Sequence, residues 1–202
     1  AYILAIHVPI AGLALLPLLL GLPPILFPVH IVFLEMFIDP VCSIVFEAEA
    51  SETDAMHRPP RIPNEPIFAG ASLVMSLMQG AVLLIAAFGI YWLAIVQLKN
   101  QDMARSLSFV ALVAGNVGLV LVNRSWHVSA LATLLRRNVA LWVAVTITVL
   151  ILTTLFVMPQ TRSLFHFALP PTVWMFLACA LGLGVTLWFD VLKASGKLKS
   201  LG

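Results

Sequence analysis

Long apolar stretches alternate with short polar segments along the whole chain. The six apolar stretches cover residues 1–20, 25–46, 67–96, 104–123, 139–158 and 171–191. A helix needs about 20 apolar residues to cross roughly 30 Å of hydrocarbon, and each stretch is close to that length or longer. The pattern therefore predicts an all-α membrane protein, a bundle of six transmembrane helices.

Two of the polar segments carry proline-rich signals. The first two spans are joined by "GLPP", residues 21–24, where glycine and prolines favour a tight reversal. The second and third spans are joined by residues 47–66, whose prolines at positions 59, 60, 63 and 66 forbid a continuous helix. We expect this longer segment to be a solvated connector.

Composition supports the same class. Of the 202 residues, 61% are hydrophobic and only 10% are charged, too few charges to cover the surface of a soluble domain. The lipid bilayer is thus the expected surroundings. The basic residues are scattered among the joints rather than gathered in a stripe, so no nucleic acid partner is expected.

The distribution of basic residues predicts the orientation. Basic residues concentrate in cytoplasmic joints. One side of the predicted bundle carries eight of the eleven lysines and arginines: Arg58, Arg61, Arg124, Arg136, Arg137, Lys193, Lys197 and Lys199. The other side carries Lys99, Arg105 and Arg162. We expect the first side, with the start of the first span and the C-terminus, to be cytoplasmic.

Small and sulfur-containing residues inside the spans indicate packing. Glycines 115 and 118, and glycines 182 and 184, predict close contacts between helices. Cysteines 42 and 179 both lie in apolar runs, where packing residues are expected rather than a disulfide or a metal site.

The second span contains two carboxylates in the stretch "FLEMFIDPVCSIVFE", residues 33–47. An Asp at the centre of a membrane helix costs roughly 2.5–3.5 kcal/mol on translocon scales. Glu35 and Asp39 are four residues apart, so they share one helix face and repel each other. They need a shared cation, a proton or a basic partner. The alternative is structural: Glu35 reaches the membrane interface, or is protonated and hydrogen-bonded within the bundle.

Pro40 adds a backbone ligand to this pair. It has no N–H to donate to the carbonyl of Met36, and a free carbonyl at bilayer depth is costly unless it binds a cation or water. Two carboxylates and one carbonyl form the oxygen set that hard cations prefer. The residues predict a cation site made of Glu35, Asp39 and the Met36 carbonyl.

Four further groups are candidate ligands. In "LAIHVPIAG", residues 4–12, Pro9 should free the carbonyl of Ala5. His7 lies two residues before Pro9. His7 is a ligand, a proton acceptor or the partner of Glu35, with an interhelical hydrogen bond as the alternative. Gln79 and Asn116 lie inside the third and fourth spans, as additional ligands or as interhelical hydrogen-bonding groups.

These motifs together resemble a known family. The acids and Pro40, followed by "SETDAMHRPPRIPNEPIF" at residues 51–68, are similar to the C-terminal membrane half of P-type cation-transporting ATPases, in the calcium and sodium/potassium pump group. The resemblance covers the whole chain as membrane helices five to ten. The family's loop pattern D-x-M-x-R-P-P-R is filled by Asp54, Met56, Arg58, Pro59, Pro60 and Arg61.

The resemblance assigns roles to the site residues. It matches Asp39 to the helix-six aspartate that binds transported ions, and Glu35 to a position that is Asn in calcium pumps and Glu in the gastric proton/potassium pump. His7 falls where calcium pumps carry an Asn ligand. Three family ligands are replaced, by Ile10, Ile38 and Ala114, so a complete two-calcium site is not implied.

The function implied is the ion-binding half of an ATP-driven cation pump, with calcium as one candidate cation. ATP and Mg²⁺ would act only through cytoplasmic domains of the same pump, because this chain has no "DKTG" and no phosphate loop, and hence no catalytic residue. The chain starts at Ala1 with no initiator Met and no signal peptide, so we expect a piece of a larger pump. The short joints between the spans favour a bacterial inner membrane as its location. The alternatives are a proton or monovalent-cation pump, a stand-alone secondary carrier, and a structural or assembly subunit.

Overall fold

The structure, a computed structural model, describes residues 2–48, 71–124 and 138–194. Its helices are α1 (Tyr2–Leu19), α2 (Pro28–Glu47), α3 (Ala71–Leu98), α4 (Gln101–Asn123), α5 (Val139–Val157), the short α6 (Pro159–Leu164) and α7 (Thr172–Ala194). Six helices of this described part are long and apolar enough to cross a membrane, all except α6. The predicted six-helix membrane bundle is confirmed. The connector motif at residues 51–68 lies outside the described residues.

Local capping explains where two of the spans begin. The side chain of Asn100 accepts a hydrogen bond from the Met103 N–H at 3.0 Å, and that of Asn138 accepts one from the Leu141 N–H at 3.0 Å. Each bond satisfies a backbone donor that the first helical turn leaves unpaired. Lys99, at φ 51°, makes the reversal between α3 and α4.

Helix α4 forms the centre of the bundle. Its apolar window is 83% buried, whereas the other spans are between 22% and 39% buried. Glycines bring the neighbouring helices close to it, because a Cβ on Gly115 would overlap the Leu83 side chain of α3, and one on Gly182 would overlap the Ala111 carbonyl. The predicted contact at Gly184 is wrong: no atom of the described residues lies within 4 Å of a Cβ placed there. Large apolar side chains on the outer faces, such as Leu18, Ile85 and Phe176, are exposed where lipid would surround them.

Arg105 and His30, named here the Arg105–His30 clasp, connect three joints by hydrogen bonds at one end of the bundle. The buried Arg105 guanidinium donates to the Asp102 carboxylate and to the carbonyls of Pro24 at 3.3 Å and His166 at 2.8 Å. It also lies 4.6 Å from the centre of the Phe27 ring. The α1–α2 turn, the start of α4 and the α6–α7 joint therefore lie at the same end of the bundle. This arrangement is expected when successive spans cross the membrane in alternating directions.

His30 completes the Arg105–His30 clasp. Its Nδ1 accepts the Phe27 N–H at 2.8 Å, so Nε2 carries the ring hydrogen and donates to the Phe165 carbonyl at 2.9 Å. The ring is fully buried and stacks on Phe167 with 5.0 Å between ring centres. His30 is thus a satisfied core residue that fixes the start of α2.

Candidate cation site

The acidic pair of α2 lies on an irregular stretch of backbone. Residues Leu34–Ile38 form a π-helical turn, in which the Asp39 N–H donates to the Leu34 carbonyl five residues earlier. Pro40 follows at once and has no N–H to donate. Single π turns inside α-helices are rare and occur frequently at functional sites. The site is therefore built where the regular hydrogen-bond ladder of the membrane helix is interrupted.

His7 of α1 lies next to this turn. Its Nε2 is 3.3 Å from Oε1 of Glu35. One ligand atom from each of His7, Glu35 and Asp39 lies within 4.8 Å of the other two. Two ligands on opposite sides of one cation are about 4–5 Å apart, so small side-chain adjustments would let a single ion contact all three.

The surroundings of the three side chains differ. The side chains of His7 and Glu35 are 48% and 40% exposed, whereas Asp39 is partly buried. Oδ1 of Asp39 is fully buried and has no hydrogen-bond partner among the described residues. A buried carboxylate oxygen without a donor is costly unless a cation or proton satisfies it.

A backbone contact determines which nitrogen of His7 faces the acids. Nδ1 lies 2.8 Å from the carbonyl oxygen of Ile3, which can only accept, so Nδ1 carries the hydrogen. In the neutral ring, the lone pair of Nε2 then points towards the Glu35 carboxylate. Two electron-rich atoms at that separation repel each other. The arrangement is favourable only when a cation lies between the two groups or when His7 and Glu35 share a proton.

The other predicted ligands lie in different surroundings. The Ala5 carbonyl packs against Gly80 of α3, 2.7 Å from where a Cβ on that glycine would lie. Gln79 is buried between α3 and α4, and its Oε1 accepts from Asn123 at 3.1 Å. Asn116 is fully buried in α4, and neither amide atom has a hydrogen-bond partner among the described residues. The Met36 carbonyl belongs to the π turn beside the three clustered residues.

Sequence reasoning missed the contact that orients His7 and the change of helix type. A histidine can reach the carbonyl four residues earlier in any helix, so the sequence holds no specific signal for this contact. Pro40 indicated that the backbone hydrogen-bond pattern of α2 is interrupted. In the structure this interruption is a π turn.

Comparison with known families identifies a match. The family described as cation transporting ATPase, C-terminus, matches residues 23–195. The match includes Glu35 and Asp39, whereas His7 precedes it. A search of curated proteins finds no match.

Proposed function

Because the chain belongs to the family of C-terminal domains of cation-transporting P-type ATPases, we propose that it binds the transported cation between α1 and α2 of an ATP-driven pump. The observation that carries this proposal is the meeting of His7, Glu35 and Asp39 within 4.8 Å at the π turn. Three ionisable side chains on two apolar spans are expensive to keep unless they bind something.

The proposed ligands are the carboxylates of Glu35 and Asp39, Nε2 of His7 and the carbonyl of Met36. Asn116 is a further candidate, because its amide is buried without a partner among the described residues. Gln79 has one amide atom engaged by Asn123, and the Ala5 carbonyl faces α3, so both are weaker candidates. Calcium is one candidate cation. A pumped proton is the second, because the close pair of His7 and Glu35 can share a proton.

The position of the site also suggests how it is enclosed. The side chain of Glu35 is 40% exposed and its neighbour Met36 is also exposed, although both lie inside a membrane span. An ionised carboxylate does not face lipid tails. We expect further membrane helices of the same pump to cover this face, in a bacterial inner membrane with the start of α1 and the C-terminus in the cytoplasm.

Energy would come from outside this chain. ATP with Mg²⁺ would be hydrolysed by cytoplasmic domains of the pump, and the site would bind its ion with different affinity in two conformations. Only such a difference in affinity can couple hydrolysis to transport.

The test is cation-stimulated ATP hydrolysis by the full-length pump in vesicles, with calcium, manganese, magnesium, sodium, potassium and pH varied separately. We expect Glu35→Gln and Asp39→Asn to abolish stimulation by the cation that activates the wild type. Glu47→Gln is the matched control, because Glu47 is an exposed acid at the end of the same helix. Wild-type stimulation in both site variants would refute the proposal.

A further inference from the structure

We infer that the cation bound by His7, Glu35 and Asp39 is a divalent transition-metal ion of the Mn²⁺-to-Zn²⁺ series rather than calcium. This inference rests on the proposed function, since it names the class of ion that the proposed site takes. It follows from the chemistry, orientation and spacing of the three side chains.

The ligand types favour such an ion. Calcium is bound by six to eight oxygen atoms, from carboxylates, carbonyls and water. Imidazole nitrogen suits zinc, iron, copper and nickel, and carboxylates suit magnesium, calcium and manganese. A site with one imidazole and two carboxylates combines both classes, and it gives calcium one nitrogen where calcium prefers oxygen.

The orientation of His7 is that of a metal ligand. Metal-binding histidines almost always donate their other ring N–H to a carbonyl or carboxylate, which fixes the tautomer and the ring plane. In His7, Nδ1 lies 2.8 Å from the Ile3 carbonyl and Nε2 lies 3.3 Å from the Glu35 carboxylate. His30 differs, because both of its nitrogens are engaged by backbone groups and none is left for an ion.

The spacing also agrees with a small ion. In a tetrahedral zinc site, ligands about 2.0–2.1 Å from the metal are about 3.3 Å from each other. His7 Nε2 and Glu35 Oε1 are 3.3 Å apart, so both can bind such an ion with little movement. The unpartnered Oδ1 of Asp39 is the third ligand atom that we assign to it.

The test uses the purified full-length pump in detergent, and its first probe is Co²⁺, whose visible absorption reports nitrogen and oxygen ligands. We expect Co²⁺ bound to wild type to give a visible absorption band. Added zinc should displace the cobalt and abolish that band. His7→Asn should weaken zinc and cobalt binding by about tenfold or more and leave calcium binding nearly unchanged. His166→Asn is the matched control, because His166 lies in the α6–α7 joint outside the site.

A second variant distinguishes the loss of a metal ligand in His7→Asn from misfolding of that variant. His7→Cys supplies a thiolate, which zinc and cobalt accept and calcium does not, so it should restore cobalt binding with a changed spectrum. The inference is overturned if calcium activates ATP hydrolysis at lower concentration than every transition ion and the His7 variants behave like wild type. In that case loss of ATP hydrolysis in Asp39→Asn would still support the cation site. Full ATP hydrolysis by Asp39→Asn would refute the proposed function.

Discussion

Nε2 of His7 lies 3.3 Å from Oε1 of Glu35, although the two residues belong to different membrane-spanning helices. The other histidine of this pair of helices, His30, is fully buried and hydrogen-bonded through both nitrogens. One histidine is therefore assigned to the cation site and the other to the fold.

This contrast predicts opposite effects of the same substitution. His30→Leu should destabilise the protein by about 2–4 kcal/mol, because it leaves the Phe27 N–H and the Phe165 carbonyl unpaired in the core. His7→Leu should leave stability nearly unchanged and remove cation-stimulated hydrolysis. The measurements are the thermal unfolding midpoint of the full-length pump in detergent and its ATP hydrolysis. Equal loss of stability in both variants would contradict the assignment.

The two glycines of α7 should respond differently to an added methyl group. A Cβ on Gly182 would overlap the backbone oxygen of Ala111, which cannot rotate away, so Gly182→Ala should cost about 1–3 kcal/mol. The methyl group of Gly184→Ala would meet none of the described residues within 4 Å, and alanine favours helix by about 1 kcal/mol over glycine in water. We expect a lowered unfolding midpoint for the first variant and an unchanged or raised one for the second. Similar losses in both would show that α7 packs on α4 through another face.

Two asparagines of α4, the buried Asn116 and the partly buried Asn123, allow a third matched comparison. Asn123 donates to Gln79 and to the Leu119 carbonyl, so Asn123→Leu should destabilise the protein by about 1–3 kcal/mol. Asn116 makes no hydrogen bond with the described residues, so Asn116→Leu should cost no stability. If Asn116 is a ligand, as the sequence predicts, this variant should still lose most cation-stimulated hydrolysis. Full activity in Asn116→Leu would remove Asn116 from the ligand set.

The helices were predictable to different degrees. The third and fourth spans, predicted at 67–96 and 104–123, are Ala71–Leu98 and Gln101–Asn123 in the structure. The earlier start of α4 is explained by the Asn100 cap, a polar residue that apolar run length does not count. The short α6 was not predicted, because six residues between two spans are too few to show a helical period.

Close packing was only partly predictable. Glycine spacing indicated contacts at Gly182 and Gly184 alike, but of these two only Gly182 has a described neighbouring helix within 4 Å of an added Cβ. Residues two apart on a helix point in different directions. Which of them meets another helix depends on the rotation of the whole helix.

The sequence by itself determined the membrane class, the number of spans and the presence of two acids within one span. Each follows from a local property: the length of an apolar run, or the cost of a carboxylate in hydrocarbon. Only the tertiary structure decided that His7 meets Glu35, that Nε2 faces the acids, and that His30 is a core residue. These relationships depend on how α1, α2 and the α6–α7 joint are placed and rotated against one another. Placement of that kind results from packing between distant parts of the chain, which no local pattern records.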